Sequence, residues 1–294
     1  RKGFLKVTRL PDGNAIRLPL LAMRGNQKGP DASQPVVAVL AGVHGDEFEG
    51  ILAIREVFSR LDPDALRGTF VGVPVTNPPA VAASTRKSPI DGLDLARTFP
   101  GDPEGTVSQR IAHCVTERII APASLLIDLH TAGAKYTMPL YCGYYGGDDT
   151  SQTQMSREAA LAFAAAGADV LVEHTARPWL TGDKSRCGAT VEVATKRGIP
   201  CLYSESTGGG WLRSDVVAFY VEGVLNVMRA LSMLPEPVVR AKPKCHLAGP
   251  RYEVQAVESG LLVSQGSLLD CVRAGDLLGI VLDPVAQTVT EIRT

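Results

Sequence analysis

Residues 35–50, PVVAVLAGVHGDEFEG, decide how this chain is read. Pro35–Val43 is a short apolar run rich in β-branched residues, which predicts a strand covered on both faces. From about Glu47 to Leu61 the period changes: Ile51, Leu52, Ile54, Val57, Phe58 and Leu61 form one helical stripe. A buried strand followed within a few residues by an amphipathic helix is the opening of a βα unit. The turn between them holds two ionisable residues, His44 and Glu47, where Gly42 and Gly45 let the backbone bend tightly.

The same alternation continues outward. Gly68–Val75 reads as a second buried strand, ended by the breaker Asn77-Pro78-Pro79. Ser108–Ile120 has helical spacing, Ser124–Leu129 (SLLIDL) is a third buried strand, Glu158–Ala166 a helix, and Ile199–Ser204 another strand. Asp215–Leu234 is a long amphipathic helix that stops at Pro235. Together they predict an α/β fold with a mostly parallel sheet flanked by helices on both faces. Ligands in such sheets bind at the carboxyl ends of strands. The strands ending near Val43, Leu129 and Ser204 all run straight into polar residues. After Pro237 the texture becomes short β-like runs between turns, at Tyr252–Val257, Gly260–Val263, Leu277–Val281 and Val289–Ile292. This predicts a small C-terminal all-β module, with the chain dividing into 1–238 and 239–294.

Composition narrows the class. With 45% hydrophobic and 21% charged residues the chain buries an ordinary core and needs no structural metal to fold. The net charge of -1, with basic residues scattered, offers no footprint for nucleic acid or an anionic membrane. No run is long enough to span a bilayer, and the first residues show no signal-peptide pattern. The six cysteines are spread singly with no C-x-x-C, which argues against a disulfide framework or a thiolate metal site. A cytoplasmic protein acting on a small molecule is expected, and homo-oligomerisation is compatible with it.

His44 and Glu47 at H-x-x-E spacing can reach one zinc ion from adjacent positions of a turn. Alone the motif is weak, since a histidine before a helix is more often a cap or a surface residue. His130 ends the third buried strand, and Asp128, two residues back, points to the same side. Asp128 is thus placed to accept the second ring N–H of a metal-bound histidine, unless the pair is merely a charged strand end that reaches solvent. Two ligands from one turn plus a third at another strand end, with a fourth position open to water, make the catalytic pattern rather than the structural one.

Four blocks, AGVHGDEFEG, DGLDLARTFPG, LIDLHTA and YSESTGGG, resemble in order and spacing the signature segments of the succinylglutamate desuccinylase/aspartoacylase family, a branch of the zinc-carboxypeptidase-like hydrolases. The resemblance spans roughly residues 35 to 235. It implies one Zn2+ on His44, Glu47 and His130, and Glu205 as general acid/base. It further implies Arg86 as the group that polarises the scissile carbonyl and Arg97 as the grip on a substrate carboxylate. The competing readings are a carboxylate capping the glycine turn for Glu205, a solvated loop charge for Arg86 and a structural ion pair for Arg97. One position departs from the family: Ala96 stands where an asparagine usually precedes that arginine, so the carboxylate clamp is incomplete and the substrate does not carry over.

The expected activity is hydrolysis of an amide in a small N-acylated amino acid or amine, a deacylation. A metallocarboxypeptidase or esterase on the same site, or a non-catalytic metal- or ligand-binding homologue, are the alternatives. His113, His174 and His246 are read as structural or surface residues. Trp179 and Trp211 border loops, where they would line a pocket unless they pack in the core.

Overall fold

The structure is a computed structural model that describes residues 1–26, 34–146, 150–174, 188–242, 244–248, 252–286 and 288–294, with 245–248 as backbone only. Trp179 and Cys187, and the side chains of Cys245 and His246, lie outside the described residues. The strands are β1 (Lys2–Arg9), β2 (Ala15–Arg24), β3 (Val36–Leu40), β4 (Thr69–Val73), β5 (Leu125–Leu129), β6 (Tyr141–Tyr145), β7 (Val170–His174), β8 (Cys201–Glu205) and β9 (Cys245–Ala248). They form one sheet in the order β1-β2-β4-β3-β5-β8-β6-β7-β9. The four central strands, β4, β3, β5 and β8, are parallel to one another. The hairpin β1–β2 and the junction of β8 with β6 are antiparallel.

The helices are α1 (Glu49–Arg60), α2 (Pro78–Ala83), α3 (Val107–Val115), α4 (Ser151–Ala164), α5 (Thr190–Lys196) and α6 (Ser214–Ala230). Ile54 and Val57 of α1, Phe163 of α4 and Tyr220 and Val224 of α6 pack on one sheet face with Val37, Val39 and Ile127. Ile111 and Val115 of α3 and Val191 and Val193 of α5 pack on the other with Ala38, Leu40 and Leu126. Central strands buried on both faces are apolar at nearly every position, which is why VVAVL reads as an unbroken run and LLIDL is interrupted only by Asp128. The fold is therefore the expected mostly parallel α/β sheet flanked by helices.

Several elements differ from the sequence reading. The hairpin β1–β2 turns at Pro11-Asp12-Gly13-Asn14, where Gly13 has φ +87° and Asn14 N–H bonds Asp12 Oδ1 at 2.9 Å. Its alternation is diluted because one face meets solvent along most of β1. β6 and β7 escape the apolar-run criterion because YCGYY contains a glycine and VLVEH ends in polar residues. The helix expected over Ser108–Ile120 changes to a wider π turn at Thr116–Ile120.

Two compact units are present, Arg1–Ala248 and Gly249–Thr294. The division falls after residue 248 rather than residue 238, because β9 extends the large sheet by pairing in parallel with β7. The C-terminal unit is a three-stranded antiparallel sheet of β10 (Leu261–Ser264), β11 (Leu277–Leu282) and β12 (Val289–Arg293). Tyr252–Val257, expected as a strand, forms no strand among the described residues and leaves Tyr252 and Val257 exposed.

Candidate active site

The carboxyl ends of β3, β5 and β8 lie side by side, and each leads into one of the ionisable residues. Beyond β3 the chain makes a buried turn before α1 begins at Glu49, and the turn is held from two sides. Thr76 Oγ1 donates to the Ala41 carbonyl at 2.8 Å, and Asn77 Nδ2 donates to the Val43 carbonyl at 3.2 Å. Gly42 adopts φ +59°, and a Cβ on Gly45 would lie 2.0 Å from the Ala80 backbone, so neither position accepts a side chain without movement. This packing sets the direction of His44 and Glu47.

His44, Glu47 and His130 converge, all buried, with one donor atom of each within 4.8 Å of the others. His44 Nδ1 lies 2.7 Å from Glu47 Oε1, His130 Nδ1 lies 3.0 Å from Glu47 Oε2, and the two Nδ1 atoms are 3.3 Å apart. Each ring turns its other nitrogen to a carboxylate: His44 Nε2 to Asp94 Oδ1 at 3.2 Å, and His130 Nε2 to Asp128 Oδ2 at 3.1 Å. A carboxylate only accepts, so those nitrogens carry the N–H, and each Nδ1, once its own proton is released from Glu47, would turn a lone pair to one spot together with that carboxylate. Without a metal the positive charge among these groups is carried by protons on the imidazoles, and a metal ion would take their place. Two imidazole nitrogens and a carboxylate oxygen are a catalytic zinc donor set, so the residues fit the metal.

The electrostatics agree. Burial opposes charge on both imidazoles, yet the neighbouring carboxylates win: Asp94 and Glu47 raise His44, and Asp128 and Glu47 raise His130 well above its ordinary value. Burial likewise opposes ionisation of Glu47, but His130 and His44 pull it down to about 2. The site is built to hold positive charge.

Arg86, on the loop after α2, extends its guanidinium to the same cluster. Its Nε donates to Asp94 Oδ2 at 3.1 Å, and its Nη1 lies 3.8 Å from Glu47 Oε1. Arg97 sits exposed at the end of a 3₁₀ turn, Leu95–Arg97, which Asp94 caps by accepting from Ala96 N–H at 3.0 Å. Burial would raise the Asp94 carboxyl, but the His44 hydrogen bond and the charges of His44, Arg86 and Arg97 hold it well below the usual carboxylate range. Ala96 is buried beneath this turn.

Glu205 ends β8, one position beyond the last β5–β8 register pair, Leu129↔Ser204, which sets it beside His130. The residue keeps some exposed surface, but its carboxyl is desolvated. That burial, with the like charges of Glu47 and Asp128 and against the pull of His130 and His44, pushes the carboxyl up to about 7. A carboxyl poised near neutrality beside a metal donor set can take up a proton and give it back.

Of the six residues singled out in the sequence, His44, Glu47 and His130 meet at one end of the sheet, Arg86 reaches them and Asp94, Glu205 lies within their electrostatic reach, and Arg97 stands exposed beyond Asp94. Asp94 was missed as the partner of His44, although it lies in a quoted signature block; its signal was an aspartate three residues before Arg97. The readings of His113 and His174 as structural or surface residues agree with their places: His113 lies within α3, and His174 contacts Tyr203 OH. Trp211, expected to line a pocket or pack in the core, is instead exposed.

Comparison with known proteins follows the same line. A family model for the succinylglutamate desuccinylase/aspartoacylase catalytic domain matches residues 33–231. The chain is 30% identical to an N-alpha-acetyl-L-2,4-diaminobutyric acid deacetylase from Halomonas elongata, over 99% of this chain and 82% of that protein. A succinylglutamate desuccinylase/aspartoacylase from Rhodobacter sphaeroides superposes with a TM-score of 0.85 at 27% identity, covering 100% of this chain and 87% of that one. The product-bound ectoine utilization protein EutE (DoeB) from Ruegeria pomeroyi superposes with a TM-score of 0.86 at 26% identity, covering 100% and 86%.

Proposed function

The chain belongs to the succinylglutamate desuccinylase/aspartoacylase family, and from that premise we propose that it is a cytoplasmic zinc-dependent amidohydrolase that deacylates a small N-acylated amino acid. The observation that carries this reading is the convergence of His44 Nδ1, His130 Nδ1 and Glu47, each imidazole backed by its own carboxylate, next to the raised carboxyl of Glu205.

His44, Glu47 and His130 would hold the zinc, which supplies Lewis acidity and a water of lowered pKa. Glu205 takes the proton of the attacking water and delivers it to the leaving nitrogen as the amide C–N bond breaks, releasing a carboxylate and an amine. Arg86 supplies positive charge opposite the developing oxyanion. Arg97 grips a carboxylate of the substrate, and Ala96 leaves that grip without a second donor. The 30%-identical relative is named a deacetylase of an N-acetylated diamino acid, which makes that substrate class the first to try.

The test is metal analysis of the purified protein together with hydrolysis of a panel of N-acyl amino acids, their amides and esters, and C-terminal dipeptides. One zinc per chain and release of the free amine from N-acetyl diamino acids are expected. Zinc without turnover on any member would leave a metal-binding homologue, and release of C-terminal residues alone would make it a carboxypeptidase. Failure of His44→Ala and His130→Ala to lower zinc content would remove the metal site.

A further inference from the structure

Beyond the ligands and their carboxylates, two buried hydroxyls reach the His130 position from opposite directions. Tyr220 lies on α6, fully buried, and its phenol donates to the main-chain carbonyl of His130. Thr190 is the first residue of α5, also buried, and its hydroxyl donates to Asp128 Oδ2, the same oxygen that takes His130 Nε2. The helices lie on opposite faces of the sheet: α6 packs with Val37, Val39 and Ile127, and α5 with Ala38, Leu40 and Leu126. The main chain of His130 is further tied to β8 by its N–H, which donates to the Ser204 carbonyl at 2.8 Å.

We infer that Tyr220 and Thr190 are positioning residues that set the ligating geometry of His130, one through its backbone and one through its ring. This rests on the zinc reading of the site. His130 stands one residue past the end of β5, where its N–H still bonds the Ser204 carbonyl and its own carbonyl takes the Tyr220 phenol. The Tyr220 ring is held rigidly, because Phe163 and Phe219 flank it with centroids at 6.4 and 5.4 Å. The Thr190 hydroxyl holds the Asp128 carboxylate in the rotamer that receives His130 Nε2, and so selects the tautomer with its lone pair on Nδ1. Neither residue belongs to the donor set; each acts through His130 or Asp128. Their effect is that Nδ1 is aimed before the ion arrives, and the cost of ordering the ring falls on folding instead of binding.

The experiment measures zinc affinity by competition with a chromophoric chelator in the full chain for Tyr220→Phe and Thr190→Val, both nearly isosteric. Tyr144→Phe, which removes another fully buried phenol on β6, is the control for a lost buried hydroxyl. Removing an outer partner of a metal-bound histidine costs about 10–100-fold in affinity. Such a loss is expected in both test variants, with Tyr144→Phe unchanged and with an altered visible spectrum of the cobalt-substituted proteins. Affinity within twofold of wild type in either folded test variant overturns the proposal, even if that variant has a lower Tm. Should one variant fail to fold, the other decides alone. Failure of the zinc reading itself would look different, since wild type would then bind no zinc and His130→Ala would change nothing.

Discussion

Replacing Glu205 with glutamine is expected to stabilise the metal-free protein at alkaline pH while removing its turnover. The magnitude follows from the burial of its carboxyl, which is raised from 4.5 to about 7. Between those two values the folded protein keeps a proton that the unfolded chain has released. Wild-type stability therefore falls as pH rises through that window, and the whole cost is present above it. At about 1.4 kcal/mol for each pH unit, ionised Glu205 costs the fold about 3 kcal/mol. Glutamine keeps the shape and carries no charge, so the variant escapes that cost. The assay is urea denaturation of chelator-treated wild type and Glu205→Gln at about pH 5 and about pH 8. Comparing the two proteins at each pH cancels the other titrating groups. The variant should gain up to about 3 kcal/mol at the higher pH and little at the lower. Loading with zinc should narrow the gap, since a cation beside Glu205 favours its ionised form. Turnover in the variant should fall by roughly 10²–10⁴-fold, the range of a lost general base. A gain equal at both pH values would refute the reasoning, because it would show that the Glu205 carboxyl is not desolvated. Turnover within tenfold of wild type would make Glu205 structural.

Asp94→Ala should weaken zinc binding by about 10–100-fold, because it frees His44 Nε2, and should also release Arg86, so kcat falls further than metal occupancy explains; unchanged affinity by chelator competition would rule out Asp94 as the orienting partner. Ala96→Asn should shift kcat/KM toward substrates with a free α-carboxylate over their amides and leave zinc affinity alone. If wild type already prefers the free acid by several hundredfold, another residue completes the clamp. Gly45→Ala drives a Cβ to 2.0 Å from the Ala80 backbone, and a displacement of that kind costs about 1–3 kcal/mol or more. Both thermal stability and zinc content should drop together, and a variant with wild-type values of both would show that the turn can yield.

The sequence by itself determined the central sheet and the main donors, because both are written in local pattern. A strand buried on both faces is mostly apolar, so β3, β4, β5 and β8 announce themselves, and the residues at and just past their ends are the ones a parallel sheet delivers to its carboxyl edge. His44, Glu47, His130 and Glu205 are legible for that reason. The half-exposed hairpin β1–β2 and the glycine-broken β6 carry a weaker period, and were not. What only the tertiary structure decided is how the donors are aimed. His44 is backed by Asp94, 50 residues away, and His130 by Tyr220, 90 residues away on a helix whose stripe spells only burial. In one-dimensional pattern a tyrosine on an apolar stripe is a core residue and an aspartate before a 3₁₀ turn is a cap. Both descriptions are true, and neither says where the phenol or the second carboxylate oxygen ends. That is set by the packing of α6 on the sheet and by the turn that carries Asp94 beneath His44, which are properties of the assembled fold.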